Sequence, residues 1–269
     1  MAKNRKKKKQ SRIKNVILTI IEIVCICVAA FAGYKIYDAW RQNKKADETF
    51  NQLSEQVVST ASPEPSSSAP AGRVIDWNAL LGINDHAAAW IYQEGTGIDY
   101  PVVYAPDNDY YLRRDINQNY SVWGVPFIDC RNSHDFTDKN TVIYGHSGTN
   151  TTQMFSTLDS YRDQSYYDQH KEFDLYTPTV HYKLYPIAGY ETTAQDAYVM
   201  TEFGSDDQFM QYVNDFISKS MFTSQQTIQS TDQTVLLSTC QFHQNDGRFA
   251  LLCKLVNITD PEGAKLNSD

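Results

Sequence analysis

Residues 234–240 read Thr-Val-Leu-Leu-Ser-Thr-Cys, and residues 248–256 read Arg-Phe-Ala-Leu-Leu-Cys-Lys-Leu-Val. Each holds a short apolar run too brief for a helix, and the loop between them, Gln241 to Gly247, is polar and closes on Asp246-Gly247. This pattern predicts two buried strands joined as a hairpin. The hairpin sets the end of the first strand, Cys240, beside the start of the second, Arg248. A thiol delivered to a strand end next to a guanidinium has a positive neighbour, which favours its thiolate. A nucleophile of this kind also needs a base and a group to hold an oxyanion. The base candidate is His146, in Thr141-Val-Ile-Tyr-Gly-His-Ser-Gly148, just past another β-rich run. Gly145 and Gly148 on either side of it predict backbone room for a substrate.

Tyr144-Gly145-His146, Leu237-Ser238-Thr239-Cys240 and Arg248 together resemble the sortase family. Trp90-Ile91 followed by Gly97-Ile98-Asp99-Tyr100-Pro101-Val102-Val103 resembles the first barrel strands of that family. Asp109-Tyr110-Tyr111-Leu112, and the run from Phe127-Ile128-Asp129 to Asn140-Thr141-Val142, resemble its class B in particular. The resemblance spans residues 74 to 258. It implies a mostly β fold with α additions: a closed, mostly antiparallel eight-stranded barrel, with N-terminal helices and a long helix before the catalytic strand. It implies a cysteine transpeptidase that cleaves a sorting signal after threonine, in a pentapeptide of the NPQTN or (S/P)PxTG type. The acyl group then passes to an amine of a peptidoglycan precursor or to a pilin lysine. Cys240 is the expected nucleophile. His146 is expected to protonate the leaving amine and later to deprotonate the acceptor. Arg248 is expected to stabilise the oxyanion. Ser238 and Thr239 are candidate pocket residues, the backbone N–H of Gln241 a candidate oxyanion donor, and Tyr144 a residue packed under His146.

Cys240-Gln-Phe-His243 has C-x-x-H spacing. No second close-spaced ligand pair lies outside the N-terminal apolar segment, and a closed zinc site needs four ligands. No metal and no cofactor are expected, and His243 is placed in the loop beside the thiol as a further candidate pocket residue. His86, His134, His170 and His181 receive no assignment. Cys253, inside an apolar strand, reads as a buried small hydrophobe, and Cys130 is read likewise. Five cysteines without paired spacing do not form a disulfide framework.

The formal net charge of −8 conceals an asymmetry. Residues 1–14 hold 8 Lys/Arg and no acid, which leaves 16 basic against 32 acidic side chains in the rest. So acidic a remainder is a poor partner for nucleic acid. Residues 15–37 are apolar apart from Glu22 and long enough to cross a bilayer as a helix, about 20 residues being required. The basic flank predicts a cytoplasmic tail at 1–14, an anchor at 15–37 and a catalytic domain outside the cell membrane. Ala30-Phe31-Ala32 leaves a cleaved signal peptide as the rival. Residues 38–73 are read as a juxtamembrane helix, with Phe50, Leu53 and Val57 on one side, and a Ser/Pro-rich spacer. The domain is set at 74–269. Asp76 and Asn84 are expected to cap two short helices, the second leading to Trp90. Pro186 predicts an edge or bulge in a strand pair over 180–190. Asp206 to Lys219 predicts a helix with Phe209, Met210, Val213, Phe216 and Ile217 on one face and a Ser205/Gln208 capping box.

Two other functions share these residues. One is a plain cysteine endopeptidase with water as acceptor. The other is a noncatalytic surface-binding module that keeps the fold.

Overall fold

The structure is a computed structural model. It describes residues 2–60, 73–149, 151–240 and 246–259, with side chains for all of these except 2–14, Thr60 and Cys240. The chain divides into two compact units, Met1–Lys45 and Ala46–Asp269. The first unit lies within a helix, α1 (Ala2–Val57). The helix from Asn15 is long and apolar enough to cross a membrane, with a mean hydropathy of 2.6 over its most apolar stretch. Its apolar side chains, among them Val16, Ile20, Val24 and Phe31, are exposed.

The second unit begins at Ala46, where the sequence reading set Val74. The reason is burial: Phe50, Leu53 and Val57 recur at helical spacing and join the domain core, with Phe50 edge-on to Tyr100 at 5.1 Å. β1 (Val58–Thr60) pairs antiparallel with β2 (Arg73–Ile75), and α2 (Trp77–Ile83) follows, its first turn capped by Asp76 as expected. Asn84 does not start a second helix. It closes α2, and its buried amide donates to the Ile116 carbonyl at 2.8 Å and to the Tyr111 hydroxyl at 2.9 Å. Trp90 lies on a strand.

Among the described residues, eight strands close a barrel in the order β10-β8-β7-β3-β4-β5-β6-β9. They are β3 (Ala87–Tyr92), β4 (Asp99–Val103), β5 (Phe127–Ile128), β6 (Asn140–Gly145), β7 (Phe173–Tyr176), β8 (His181–Thr193), β9 (Gln233–Cys240) and β10 (Gly247–Asn257). Six pairings are antiparallel, while β4/β5 and β6/β9 are parallel. β8 is one strand, and its register slips at Ile187, beside Pro186, where proline has no N–H for the ladder.

The short helix α3 (Gln164–Gln169) precedes β7, and α4 (Asp206–Lys219) lies between β8 and β9. Ser205 caps α4 by accepting from the Gln208 N–H, while the Gln208 side chain reaches the N–H of Gly204 rather than that of Ser205. The buried face is Phe209, Tyr212, Val213 and Phe216, whereas Ile217 is exposed. This helix explains the continuous apolar runs. Val235 and Leu237 of β9, with Phe249, Leu251 and Cys253 of β10, belong to the main core cluster. Leu236, Ala250 and Leu252, which alternate with them, form a second cluster with α4. Two buried faces need no polar alternation.

Candidate active site

The parallel pairing of β6 with β9 puts the C-terminal ends of both strands at one rim. Tyr144 lies opposite Ser238 and Gly145 opposite Thr239. On the other side of β9, the antiparallel register sets the Cα of Cys240 opposite that of Arg248. Three segments far apart in sequence, ending at Gly145, ending at Cys240 and starting at Gly247, therefore meet on neighbouring strands. His146 is the first residue beyond β6. A cleft of about 220 Å³ opens there, lined by Asn108, Leu112, Phe127, Tyr144, Gly145, His146, Ser238, Thr239 and Arg248. Gln241 and His243 lie outside the described residues, as does the side chain of Cys240.

The His146 Nε2–H donates to the Leu112 carbonyl at 2.7 Å. A carbonyl only accepts, so Nε2 carries the proton and Nδ1 of the neutral ring keeps its lone pair. Burial pushes the imidazole pKa below its ordinary value, and the Arg113 and Arg248 charges push the same way, against the Leu112 hydrogen bond. The glycines around His146 do not leave room for a substrate. A Cβ on Gly145 would meet the Phe155 ring at 2.5 Å, and one on Gly148 would meet Trp123 at 2.2 Å. Both glycines admit aromatic rings of the protein itself, which seat the histidine loop. The loop is further tied by the Phe155 N–H, which donates to the His146 carbonyl at 2.9 Å.

Arg248 is half-buried, and its Nη1 donates to the carbonyls of Gly247 at 2.9 Å and Asp246 at 3.2 Å. Two of its own strand-start carbonyls thus orient the guanidinium. Ser238 and Thr239, the candidate pocket residues, are both 2 % exposed. The Ser238 hydroxyl shares a hydrogen bond with the Tyr198 hydroxyl at 2.8 Å, and the Thr239 hydroxyl has no partner among the described residues. Tyr144 lines the cleft, but its hydroxyl points to Asp129, donating to Oδ2 at 2.7 Å.

Asn108, Leu112, Phe127 and Asp129 were not singled out as site residues from sequence. Leu112, Phe127 and Asp129 fall in segments noted only for their resemblance to class B. Leu112 acts through its carbonyl, which no residue type announces. Cys253 is fully buried, as read, and burial pushes its thiol pKa well up. Cys130 is exposed, contrary to the reading, because the chain turns outward after Asp129. Among the described residues no group of three or more His, Cys, Asp or Glu side chains stands together as a metal-ligand set.

No family model matches the chain. It is 30 % identical to sortase B of Listeria monocytogenes over 249 residues, covering 91 % of this chain and 99 % of that one. It is 28 % identical to sortase B of Staphylococcus aureus over 245 residues, covering 90 % of this chain and 98 % of that one. Among solved structures, sortase B of Bacillus anthracis in complex with AAEK1 matches with a TM-score of 0.70 at 27 % identity, over 81 % of this chain and 99 % of that one. The S. aureus sortase B–substrate complex matches with a TM-score of 0.69 at 25 % identity, with the same coverage of 81 % and 99 %.

Proposed function

The chain belongs to the class B sortases, and from that premise we propose that it is a membrane-anchored cysteine transpeptidase with Cys240, His146 and Arg248 as its catalytic residues. The observation that carries this reading is the register: Cys240 opposite Arg248 on the strand next to β6, with His146 at the end of β6. The substrate is the sorting signal of a secreted protein, cut after threonine. The Cys240 sulfur adds to the threonine carbonyl carbon as the thiol proton passes to the neutral His146, and Arg248 holds the negative charge that develops on the oxygen. The tetrahedral intermediate collapses, the C–N bond breaks, and the leaving amine takes a proton from His146. A thioester remains. The amine of a peptidoglycan precursor then adds to it, gives a proton to His146, and expels the Cys240 thiolate. An amide has replaced an amide, and no oxidant or hydrolytic water is consumed.

Incubation of the enzyme with an NPQTN/(S/P)PxTG peptide library and glycine-based amines, read by mass, tests this. The expected product is the peptide acyl group joined to the amine through threonine, with none formed by Cys240→Ala. Acid products alone, unchanged by added amine, would make the protein a cysteine endopeptidase. Joining only to a pilin lysine would make it a pilin-polymerising enzyme. Absence of any cleavage would leave a surface-binding module. For location, the basic residues 1–14 and the exposed apolar helix support a cytoplasmic N-terminus and an extracytoplasmic domain. Protease added to intact protoplasts should digest the domain and spare a tag placed before residue 14. A soluble protein starting at Gly33 would show cleavage instead.

A further inference from the structure

Asp129 is fully buried at the end of β5, directly behind the cleft wall. Its two oxygens accept five hydrogen bonds from side chains and backbone. Oδ1 takes the Arg131 N–H at 3.0 Å and Arg131 Nε at 2.8 Å. Oδ2 takes Arg131 Nη2 at 2.7 Å, the Tyr144 hydroxyl at 2.7 Å and Asn108 Nδ2 at 3.2 Å. Burial alone would raise its pKa, but the hydrogen bonds from Arg131 and Tyr144 bring it down to about 2, so it is ionised near neutral pH. Two of its donors, Tyr144 and Asn108, line the cleft.

The consequence for the wall follows from counting protons. Tyr144 has one hydroxyl proton, and Asp129 holds it, so the phenol oxygen can offer any further partner only its acceptor lone pairs. Burial and the Asp129 charge both keep that proton in place. Asn108 is held at both ends, since its Oδ1 also accepts the Cys130 N–H at 2.8 Å. Its orientation is thereby fixed, and the amide proton not used by Asp129 remains for a ligand. Asp129 thus sets the hydrogen-bond character of two lining residues: the Tyr144 oxygen can only accept, and Asn108 keeps one amide proton to donate, the complementary pair that a peptide group answers.

We propose that Asp129 is a positioning residue that fixes the hydrogen-bond polarity of the cleft wall through Tyr144 and Asn108, and so governs peptide binding without touching the peptide. The inference rests on the proposed peptide-transferring role of the cleft. Its first signature is in the kinetics. Asp129→Asn, which has nearly the same shape, should raise KM for the sorting peptide roughly five- to ten-fold and leave kcat within about three-fold, because the interaction acts equally on bound substrate and transition state. In the Tyr144→Phe/Asn108→Ala background, where both relays are gone, Asp129→Asn should add less than about two-fold. A role in folding alone would instead multiply with that background, and so would a direct contact with substrate; either result overturns the proposal. The second readout needs no turnover. In the wild type, the Asn108 side-chain amide proton bonded to Asp129 should show slow solvent exchange by NMR, and Asp129→Asn should abolish that protection while thermal melting shows the variant folded. If the wild type turns over no peptide but Asn108 loses protection in the variant, the functional reading fails and the positioning holds. If Asn108 keeps its protection, the positioning itself is overturned.

Discussion

Two histidines sit at strand ends of this barrel, and their surroundings are opposite. His181 starts β8, and its Nε2 meets the Asp174 carboxylate at 2.7 Å while its ring stacks on Tyr176 at 4.1 Å. Lys183 reaches the same carboxylate at 3.0 Å. Burial pushes Asp174 up, but the hydrogen bonds from His181 and Lys183 hold it below its ordinary range. That is a satisfied charge network, and it ties β7 to β8. His146, at the end of β6, has only a neutral carbonyl on one nitrogen and two arginine charges nearby. Among the described residues, no carboxylate meets its ring. The contrast separates a histidine that holds structure from one free to exchange a proton. A carboxylate partner would stabilise the imidazolium, whereas burial beside cations favours the neutral ring.

The largest expected effect breaks that comparison directly. His146→Ala should lower acyl transfer by about 10²–10⁴, the usual worth of a positioned acid–base group. His181→Ala should leave transfer within a few-fold and show in the melting temperature instead. Rates measured beside thermal melts decide it. A larger loss of rate from His181→Ala in a folded protein would reverse the two assignments. Next in size is Arg248. Arg248→Lys should be nearly as damaging as Arg248→Ala, each costing about 10²–10³ in acylation rate. A planar guanidinium can donate to an oxyanion and a substrate carbonyl together, and an ammonium is one flexible point charge. Substantial rescue by lysine, read in single-turnover acylation, would reduce Arg248 to a charge that tunes the thiol.

The strands of this rim were legible because buried strands carry their own signal. The runs at 235–237 and 249–256 appear as a hairpin in the expected register, and Asp206–Lys219 as the expected helix. What escaped depends on close approach between distant segments. Gly145 and Gly148 read as space for substrate, because sequence gives no sign that Phe155 and Trp123 fill it. Ser238 and Thr239 read only as candidate pocket residues, and sequence gives no sign that Ser238 lies on the face of β9 covered by the α4 cluster, where Tyr198 supplies its partner. The packing of this helix on the core went unread for a similar reason: the Ser/Pro-rich spacer drew attention past a helix whose large buried side chains, beside Ala46, are Phe50, Leu53 and Val57. A stripe that short has little periodic signal, although three buried side chains stabilise by about 1.5–3 kcal/mol each.

A third test sharpens the comparison at the loop that carries His146. Gly148→Ala sets a methyl against Trp123 and Thr151, where the built position lies 2.2 Å and 2.8 Å from their atoms. The loop must shift, at a cost of about 1–3 kcal/mol. Displacing the imidazole by a fraction of an ångström should lower kcat by roughly ten-fold or more, since misplacement by about 1 Å can cost 10²-fold. Pairing Gly148→Ala with Trp123→Ala should recover part of the loss in kcat. If the double variant is as slow as the single one, the Trp123 contact is not what seats the loop.

The smallest effect is in pH. To accept a proton from the incoming amine, His146 must be neutral, so the aminolysis step is fully active above the imidazole pKa and is lost as pH falls through it. Burial and the Arg113 and Arg248 charges set that pKa below the ordinary 6.5, so the acid limb of aminolysis should have its midpoint below pH 6.5. Removing one cation weakens the depression and must move the midpoint up. Arg113→Gln is the cleaner variant, because its guanidinium donates to the Val122 carbonyl at 2.6 Å and does not line the cleft. Its acid limb should rise by a fraction of a pH unit, with the plateau rate nearly unchanged. Raised salt should act in the same direction, since screening weakens exposed charges first. His181→Ala should leave the limb where it is. The measurement is the pH dependence of thioester aminolysis with preformed acyl-enzyme, which removes the first proton transfer from the profile. A midpoint that moves down in Arg113→Gln would mean that the titrating group is not an imidazole held neutral by its cationic neighbours, and the contrast between His146 and His181 would lose its chemical basis.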